Sequence, residues 1–482
     1  MRPTSASSSR GWLGLLLVAC AGGAKNAPPP STHPDTPAPH WSYEVKADKG
    51  ARELTVTASF TGDTDSELTV EEGAEPFVSD VEVRGAKGFV RIEESRLSWF
   101  LREPCRPTCE VRYRYRLLEA ARANGDVSVA RTVGDAILAP PSTWLLRPAR
   151  ALPNTPFTFH VTTNPGDGFV SGVFPVRDAP GTFFGQTDAH YQLAYSAFGP
   201  LRVRELSGGR VELAFLPGPS SGDDTLAAWV DASARAVEAF YEVFPVPRLL
   251  VLAHPTDSRD VGFGTTMGHS GAAIAIDVGA RSSPTDLASD WILVHEMVHT
   301  ALPDLEGPQH WLEEGLATYV EPLVRRRAGI LTAENVWTEW VTQMPNGQPM
   351  MGDRGLDATP TWGRTYWGGA LFCLVADVEI RRRTANERSL GDVVRAVLSA
   401  GGNISESWPI ERVLAVGDEA TGVPVLTEQY ARMGRTPITV DLDDLWKSLG
   451  VHREGREVTF DDAAPLASVR RGITGEPPAV AP

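Results

Sequence analysis

The chain has 482 residues, more than one hydrophobic core usually organises, so two to four domains are expected. Its 61 acidic against 45 basic side chains leave a formal net charge of −16, which repels phosphate backbones and anionic lipid headgroups and argues against a nucleic-acid partner.

At the N-terminus, Arg2 and Arg10 precede an apolar run over 11–19 that is too short to span a bilayer, the pattern of an export signal. The run ends in Leu17-Val18-Ala19-Cys20, which resembles a bacterial lipobox. That resemblance implies cleavage before Cys20 and lipid on Cys20. With Ala21-Gly22 following and no aspartate there, it further implies an outer-membrane destination, facing the periplasm or the cell surface. No later window reaches eighteen apolar residues, so this anchor is the one expected contact with a membrane. Residues 1–20 are read as signal peptide. Residues 21–40, with Pro28-Pro29-Pro30, Pro34, Pro37 and Pro39, are read as a stiff tether.

Over 41–216 short alternating runs such as Glu110-Val111-Arg112-Tyr113-Arg114-Tyr115, punctuated by glycine and proline, predict a β-sandwich whose default role is packing and positioning. Cys105 and Cys109, four residues apart in an exported segment, are expected to form a disulfide, because nothing nearby supplies two further metal ligands. A domain of mixed α/β type is expected over 221–330. Within it lie a helix from Leu226 to Phe244, a strand at Leu249-Leu250-Val251-Leu252, a glycine-rich stretch from Gly262 to Gly271, and a second strand at 273–278 able to pair with an extended peptide. A helical domain follows over 331–450, with Cys373 read as a core thiol, and then an irregular tail over 451–482. The fold class is therefore α+β and multidomain.

The chemistry concentrates after Ser283. Ser283-Pro284-Thr285-Asp286 carries an N-cap serine, proline at the first helical position and an acid in the first turn, so a helix is predicted from here through His299, ending before Pro303. His295 and His299, four apart, share one face of that helix, and Glu296 follows the first of them. The helix is apolar nearly all round; two imidazoles and a carboxylate buried on it cost several kcal/mol unless a cation or other partners compensate. A second helix starting near Pro308 offers Glu313 and Glu314, and the residues alone leave both open as a third ligand.

His-Glu-x-x-His followed by Trp311-Leu312-Glu313-Glu314-Gly315-Leu316-Ala317 resembles the gluzincin clan, which includes thermolysin and the membrane-alanyl and glycyl aminopeptidase families. The resemblance implies a thermolysin-like catalytic domain and one Zn²⁺ on His295, His299 and Glu314, with Glu313 at a variable position. It further implies Glu296 as general base in the hydrolysis of a peptide or protein substrate. Tyr366-Trp367-Gly368-Gly369 is similar to the Tyr-x-x-Gly segment of those aminopeptidases, which implies that Tyr366 donates to the oxyanion. Together with Ile380-Arg381 and the preceding β-domain, it most resembles the glycyl aminopeptidase family. One departure stands out. Gly264-Thr265-Thr266-Met267-Gly268-His269 occupies the place of the Gly-x-Met-Glu-Asn segment that holds the substrate amine in the alanyl type, so the anchoring acid is missing and His269 is a loop or pocket residue. The alternative function is a non-catalytic envelope lipoprotein that keeps the zinc site as a binding module.

Overall fold

The computed structural model describes residues 40–475 apart from 63, 96, 106, 151, 153, 188–191 and 306. The signal segment with Cys20, the tether up to residue 39 and the last seven residues lie outside them. All described residues belong to one compact unit.

The N-terminal part is β-rich. A seven-stranded sheet runs in the order Thr182–Gln186, Pro156–Thr162, His40–Ala47, Leu54–Thr61, Thr108–Tyr115, Val78–Gly85 and Gly88–Arg91. The alternation that predicted these strands sets the faces: Leu54, Val56, Ala58 and Phe60 are wholly buried, while the intervening Thr55, Thr57 and Ser59 are not. Two four-stranded sheets share this core, in which Trp144 meets Phe159 and Phe198 edge-on, with ring centroids 5.7 and 5.8 Å apart. Cys105 and Cys109 are joined in a disulfide, with Cα atoms 5.2 Å apart.

A five-stranded mixed sheet follows, in the order Arg202–Leu206, Val211–Phe215, Leu249–Thr256, Ala273–Gly279 and Val261–Met267. Its first two strands lie inside the span assigned to the sandwich, so the boundary expected at 216 moves back to about 200. The cause is burial on both faces. Val211, Leu213, Leu249, Val251, Ile274 and Ile276 join the core shared with the helices, whereas Ala214, Leu250, Leu252, Ala273 and Ala275 join the core of the β-rich part. One strand run therefore serves two cores, and composition does not change where the architecture does.

A second correction concerns the exposed strand. Ala273–Gly279 is interior, paired on one side with Leu249–Thr256 and on the other with Val261–Met267. Val261–Met267, which the glycines had marked as loop, is the edge of this sheet. Those glycines answer close approaches: a Cβ on Gly262 would stand 3.3 Å from Asp277 Cβ, and one on Gly264 would stand 2.8 Å from both Ile292 Cγ2 and Glu296 Cγ.

The helix expected from Ser283 through His299 is two helices. Ser283 and Asp286 form a reciprocal capping box at the start of Pro284–Ser289. Asp290 then turns extended, at φ −64° and ψ 145°, and its carboxylate accepts from the Leu293 amide at 3.0 Å, starting the second helix, Ile292–His299. The following helix, His310–Arg327, packs on Gly369–Arg383. Helices Ala333–Gln343, Leu390–Ser399, Ile410–Thr421, Val425–Met433 and Leu442–Leu449 complete the helical part. The segment expected to be an irregular tail is ordered through residue 475: strands Val451–Glu454 and Glu457–Phe460 form a hairpin, and helix Ala467–Thr474 follows. Arg470, 1% exposed, holds that end by donating to the Leu449 and Gly450 carbonyls and covering the Phe460 ring. These elements are four to eight residues long, too short for periodicity to reveal. No helix among the described residues is long and apolar enough to cross a membrane.

The crossing of His310–Arg327 and Gly369–Arg383 is made backbone to backbone. A Cβ on Gly315 would lie 2.2 Å from the Gly369 carbonyl carbon, and one on Gly369 would lie 2.0 Å from the Trp311 oxygen. Gly315→Ala is therefore expected to lower the melting temperature, at a cost of about 1–3 kcal/mol or more, as overpacking of a rigid contact does. A circular-dichroism melt of this variant matching the parent would show that the helices separate freely.

Candidate active site

Helix Ile292–His299 lies under the sheet's edge strand and presents His295, Glu296 and His299; Val294, Met297 and Val298 anchor it in the core. Helix His310–Arg327 brings Glu314 to the two imidazoles: Glu314 Oε2 is 3.2 Å from His295 Nε2 and 3.5 Å from His299 Nε2. One donor atom from each of the three residues fits within a 4.8 Å span. Burial alone would raise the Glu314 carboxyl, but the imidazoles of His295, His299 and His310 overcome it and hold it well below the usual carboxylate range. The same attraction, against burial, raises His299. Two nitrogens and one carboxylate oxygen, converging in a partly buried pocket and attracting positive charge, are a donor set that fits a zinc ion.

The two candidate glutamates separate by role. Glu313 accepts from the Leu305 amide at 2.7 Å and pairs with His310 Nδ1 at 2.7 Å, pinning the short return between the two helices. Glu314 alone of the two joins the imidazoles of His295 and His299. His310 bridges both acids; its bond to Glu313, then that to Glu314, pushes it up to about 10.

Glu296 is 7% exposed, and Thr266 of the edge strand donates to its Oε2 at 2.6 Å and approaches its main-chain oxygen at 2.9 Å. The absent side chain at Gly264 makes room for it. Thr266 was not singled out in the sequence; the glycines beside it were the available signal that this backbone runs close to something. Tyr366 stands across the cluster on the π-helical turn Gly363–Gly368, its ring stacked near His295 with centroids 6.4 Å apart. Burial, and then the charge of Glu314, push its hydroxyl up to about 12, so it is a proton donor at neutral pH.

These residues line one cavity of 810 Å³. Its walls include Glu71 and Gln192 of the β-rich part, which no sequence signal had indicated, and neither Lys nor Arg occurs among the described residues lining it. Burial raises the Glu71 carboxyl. His269 also lines the cavity, and its Nε2 lies 2.9 Å from the Gln186 carbonyl. Cys105 and Cys109 belong to the β-rich core and its margin, not to this cavity.

No family model matches the chain, and no curated protein matches it by sequence. Solved structures do resemble it. An aminopeptidase N family protein from Idiomarina loihiensis superposes with a TM-score of 0.64 at 12% identity, covering 85% of this chain and 78% of its own. An M1 zinc metallopeptidase from Deinococcus radiodurans, solved as a mutant bound to a Tyr-Ser-Ala substrate, gives 0.53 at 15% identity, covering 84% of this chain and 96% of its own. The same enzyme without that mutation gives 0.52 at 16% identity, with coverage of 84% and 95%. At such identities the likeness is one of fold: the chain has the architecture of the M1 zinc metallopeptidases.

Proposed function

We propose that this chain is a zinc-dependent peptidase with His295, His299 and Glu314 as ligands, Glu296 as general base and Tyr366 as oxyanion donor. The observation that carries the reading is the convergence of these five side chains, from three separate elements, in one cavity beside a free sheet edge. When bound, zinc supplies Lewis acidity toward the scissile carbonyl and acidity to the attacking water. Glu296 takes the proton of that water and returns it to the departing amine. Thr266 fixes one carboxylate oxygen of Glu296 and leaves Oε1 for the proton. Tyr366, protonated at neutral pH, donates to the carbonyl oxygen as negative charge develops there.

Substrate main chain is taken by Val261–Met267, paired on one side only among the described strands, which can add an extended peptide through its open edge. This strand carries no acid for a substrate α-amine; Glu71, on the cavity wall, is a carboxylate available to an aminopeptidase mode. Within the clan, the finer kinship with the glycyl aminopeptidase family rests on the run from Tyr366 to Arg381 and on the preceding β-domain. The envelope location, with lipid on Cys20, rests on the sequence from Arg2 to Cys20.

Elemental analysis of protein lacking residues 1–20 is expected to give one zinc per chain for the parent and for Glu296→Ala, and little for Glu314→Ala. Glu296→Ala is expected to lose about 10²–10⁴-fold in kcat on internally quenched or aminoacyl peptides. A folded, zinc-free parent would overturn the proposal, and zinc without cleavage of either substrate type would favour a binding module. Thr266→Val is expected to keep zinc and lose about ten- to a hundredfold in kcat, the worth of a hydrogen bond to a charged group; unchanged kcat would remove Thr266 from the machinery. In a bacterial host, the full chain is expected in the membrane fraction with incorporated fatty acid and Cys20→Ala without it, and equal fractionation of the two would overturn the anchor.

A further inference from the structure

Among the described phenylalanines and tryptophans, three are more than half exposed: Phe263 at 61%, Trp291 at 51% and Trp362 at 63%. Single exposed apolar residues are ordinary. These three, however, gather at one place. Phe263 lines the cavity. Trp291 sets its ring edge-on to His295, with centroids 5.5 Å apart, and Trp362 lies over Tyr366 at 6.2 Å. Trp291, His295, Tyr366 and Trp362 thus form a continuous run of rings, with its two ends in water and its middle at the metal cluster. The cavity holds Glu296 and Glu314 together with Leu302, Leu305 and Ile404, and the exposed rings of Trp291 and Trp362, which stand outside its lining, add a surface on which an apolar side chain can leave water.

Neither tryptophan is needed to build its element. Trp291 sits at the N-cap of its helix without a side-chain capping bond, a position that Ser, Thr, Asp or Asn would fill better. Trp362 opens the Tyr366 turn with its ring in water, while its neighbour Arg364 is buried on Gly347 O and Asp353. Trp362 is held within ring contact of Tyr366, proposed to donate to the scissile carbonyl, and Trp291 within ring contact of His295, proposed as a metal ligand.

Building on that proposal, we infer that this rim determines specificity by binding a large apolar, preferentially aromatic, side chain on a residue next to the scissile bond. The open edge strand recognises main chain and is indifferent to side chains; the rim supplies the discrimination.

The test measures binding as well as turnover. Calorimetry on the zinc-loaded Glu296→Gln protein would compare matched peptides that differ by Phe or Ala beside the target bond. The Phe peptide is expected to bind about tenfold more tightly. Trp362→Ala and Trp291→Ala in that background are expected to shrink the ratio to below about threefold, while Phe184→Ala, an exposed aromatic elsewhere, leaves it intact. Far-ultraviolet circular dichroism and zinc content check that each variant is folded and loaded. In the active parent the same preference is expected in kcat/KM, mainly through KM. Equal binding of the two peptides, or a ratio untouched by both tryptophan variants, would overturn the rim. Hydrolysis without discrimination would remove the rim and leave the peptidase; discrimination without hydrolysis would remove the peptidase and leave the rim.

Discussion

The site depends on one contact in which no side chain takes part. At Gly315 and Gly369 two helices meet main chain to main chain, closer than any Cβ permits. Glu314 precedes the first glycine by one residue and Tyr366 precedes the second by three, so this crossing fixes the distance between the candidate ligand and the candidate oxyanion donor. A second set of bonds locks the same pair further along: Tyr319 donates to Asp377 at 2.8 Å, and Asp377 also receives Arg381 at 3.0 Å and the Leu390 amide at 2.8 Å. A buried carboxylate satisfied from three directions resists rotation of either helix, since any slip would strand its charge. Local chemistry is thereby held by packing that never touches substrate.

The electrostatics have a similar logic on a smaller scale. Five carboxylates line the cavity, and histidines are the only basic side chains among the described residues lining it. Burying Glu296 and Glu314 so close together is unfavourable unless positive charge joins them: against burial, the acids draw the His299 imidazole toward the charged form, they do the same to His310, and burial together with the Glu314 charge keeps Tyr366 from losing its proton. A divalent cation answers the demand more completely than protonated imidazole, because it also frees the imidazoles to act as ligands. The formal charge of −16 says little about this; what matters is the absence of Lys and Arg from one wall.

What could be read from the sequence is what is local. His295, Glu296 and His299 share a turn of helix, so their spacing alone put them together, and the capping residue at Ser283 is satisfied in the structure by Asp286. Glu314 needed the Trp-Leu-x-Glu-Gly pattern, because a loop separates it from His299. The features that escaped are set by tertiary context. Gly262 and Gly264 weaken a strand signal to admit Asp277, Ile292 and Glu296, contacts that no window of sequence displays. The sheet boundary near 200 is hidden because strands buried on both faces look alike whichever core they join. Asp290 breaks a helix that its apolar neighbours would have continued, and Glu71 reaches the cavity from more than two hundred residues away.

On the reading proposed above, recognition is divided between two surfaces that can vary separately. The edge strand is positioned from both ends: Gly264 and Thr266 fit it to helix Ile292–His299, while the turn that follows is tied to the helical part, with the His269 amide on Ile404 O at 2.9 Å and the Ser270 amide on Ser405 O at 3.1 Å. A Cβ on Gly268 would fall 1.9 Å from that same Ile404 oxygen, so the strand's path is tightly constrained. Trp291 and Trp362, by contrast, project into water from the start of one helix and from a π-helical turn, where replacing a side chain disturbs no core. A main-chain register that cannot drift beside a rim that can change is a physical route by which one fold could keep its chemistry while its side-chain preference alters, since the rigid demand falls on backbone geometry and the adjustable one on exposed rings.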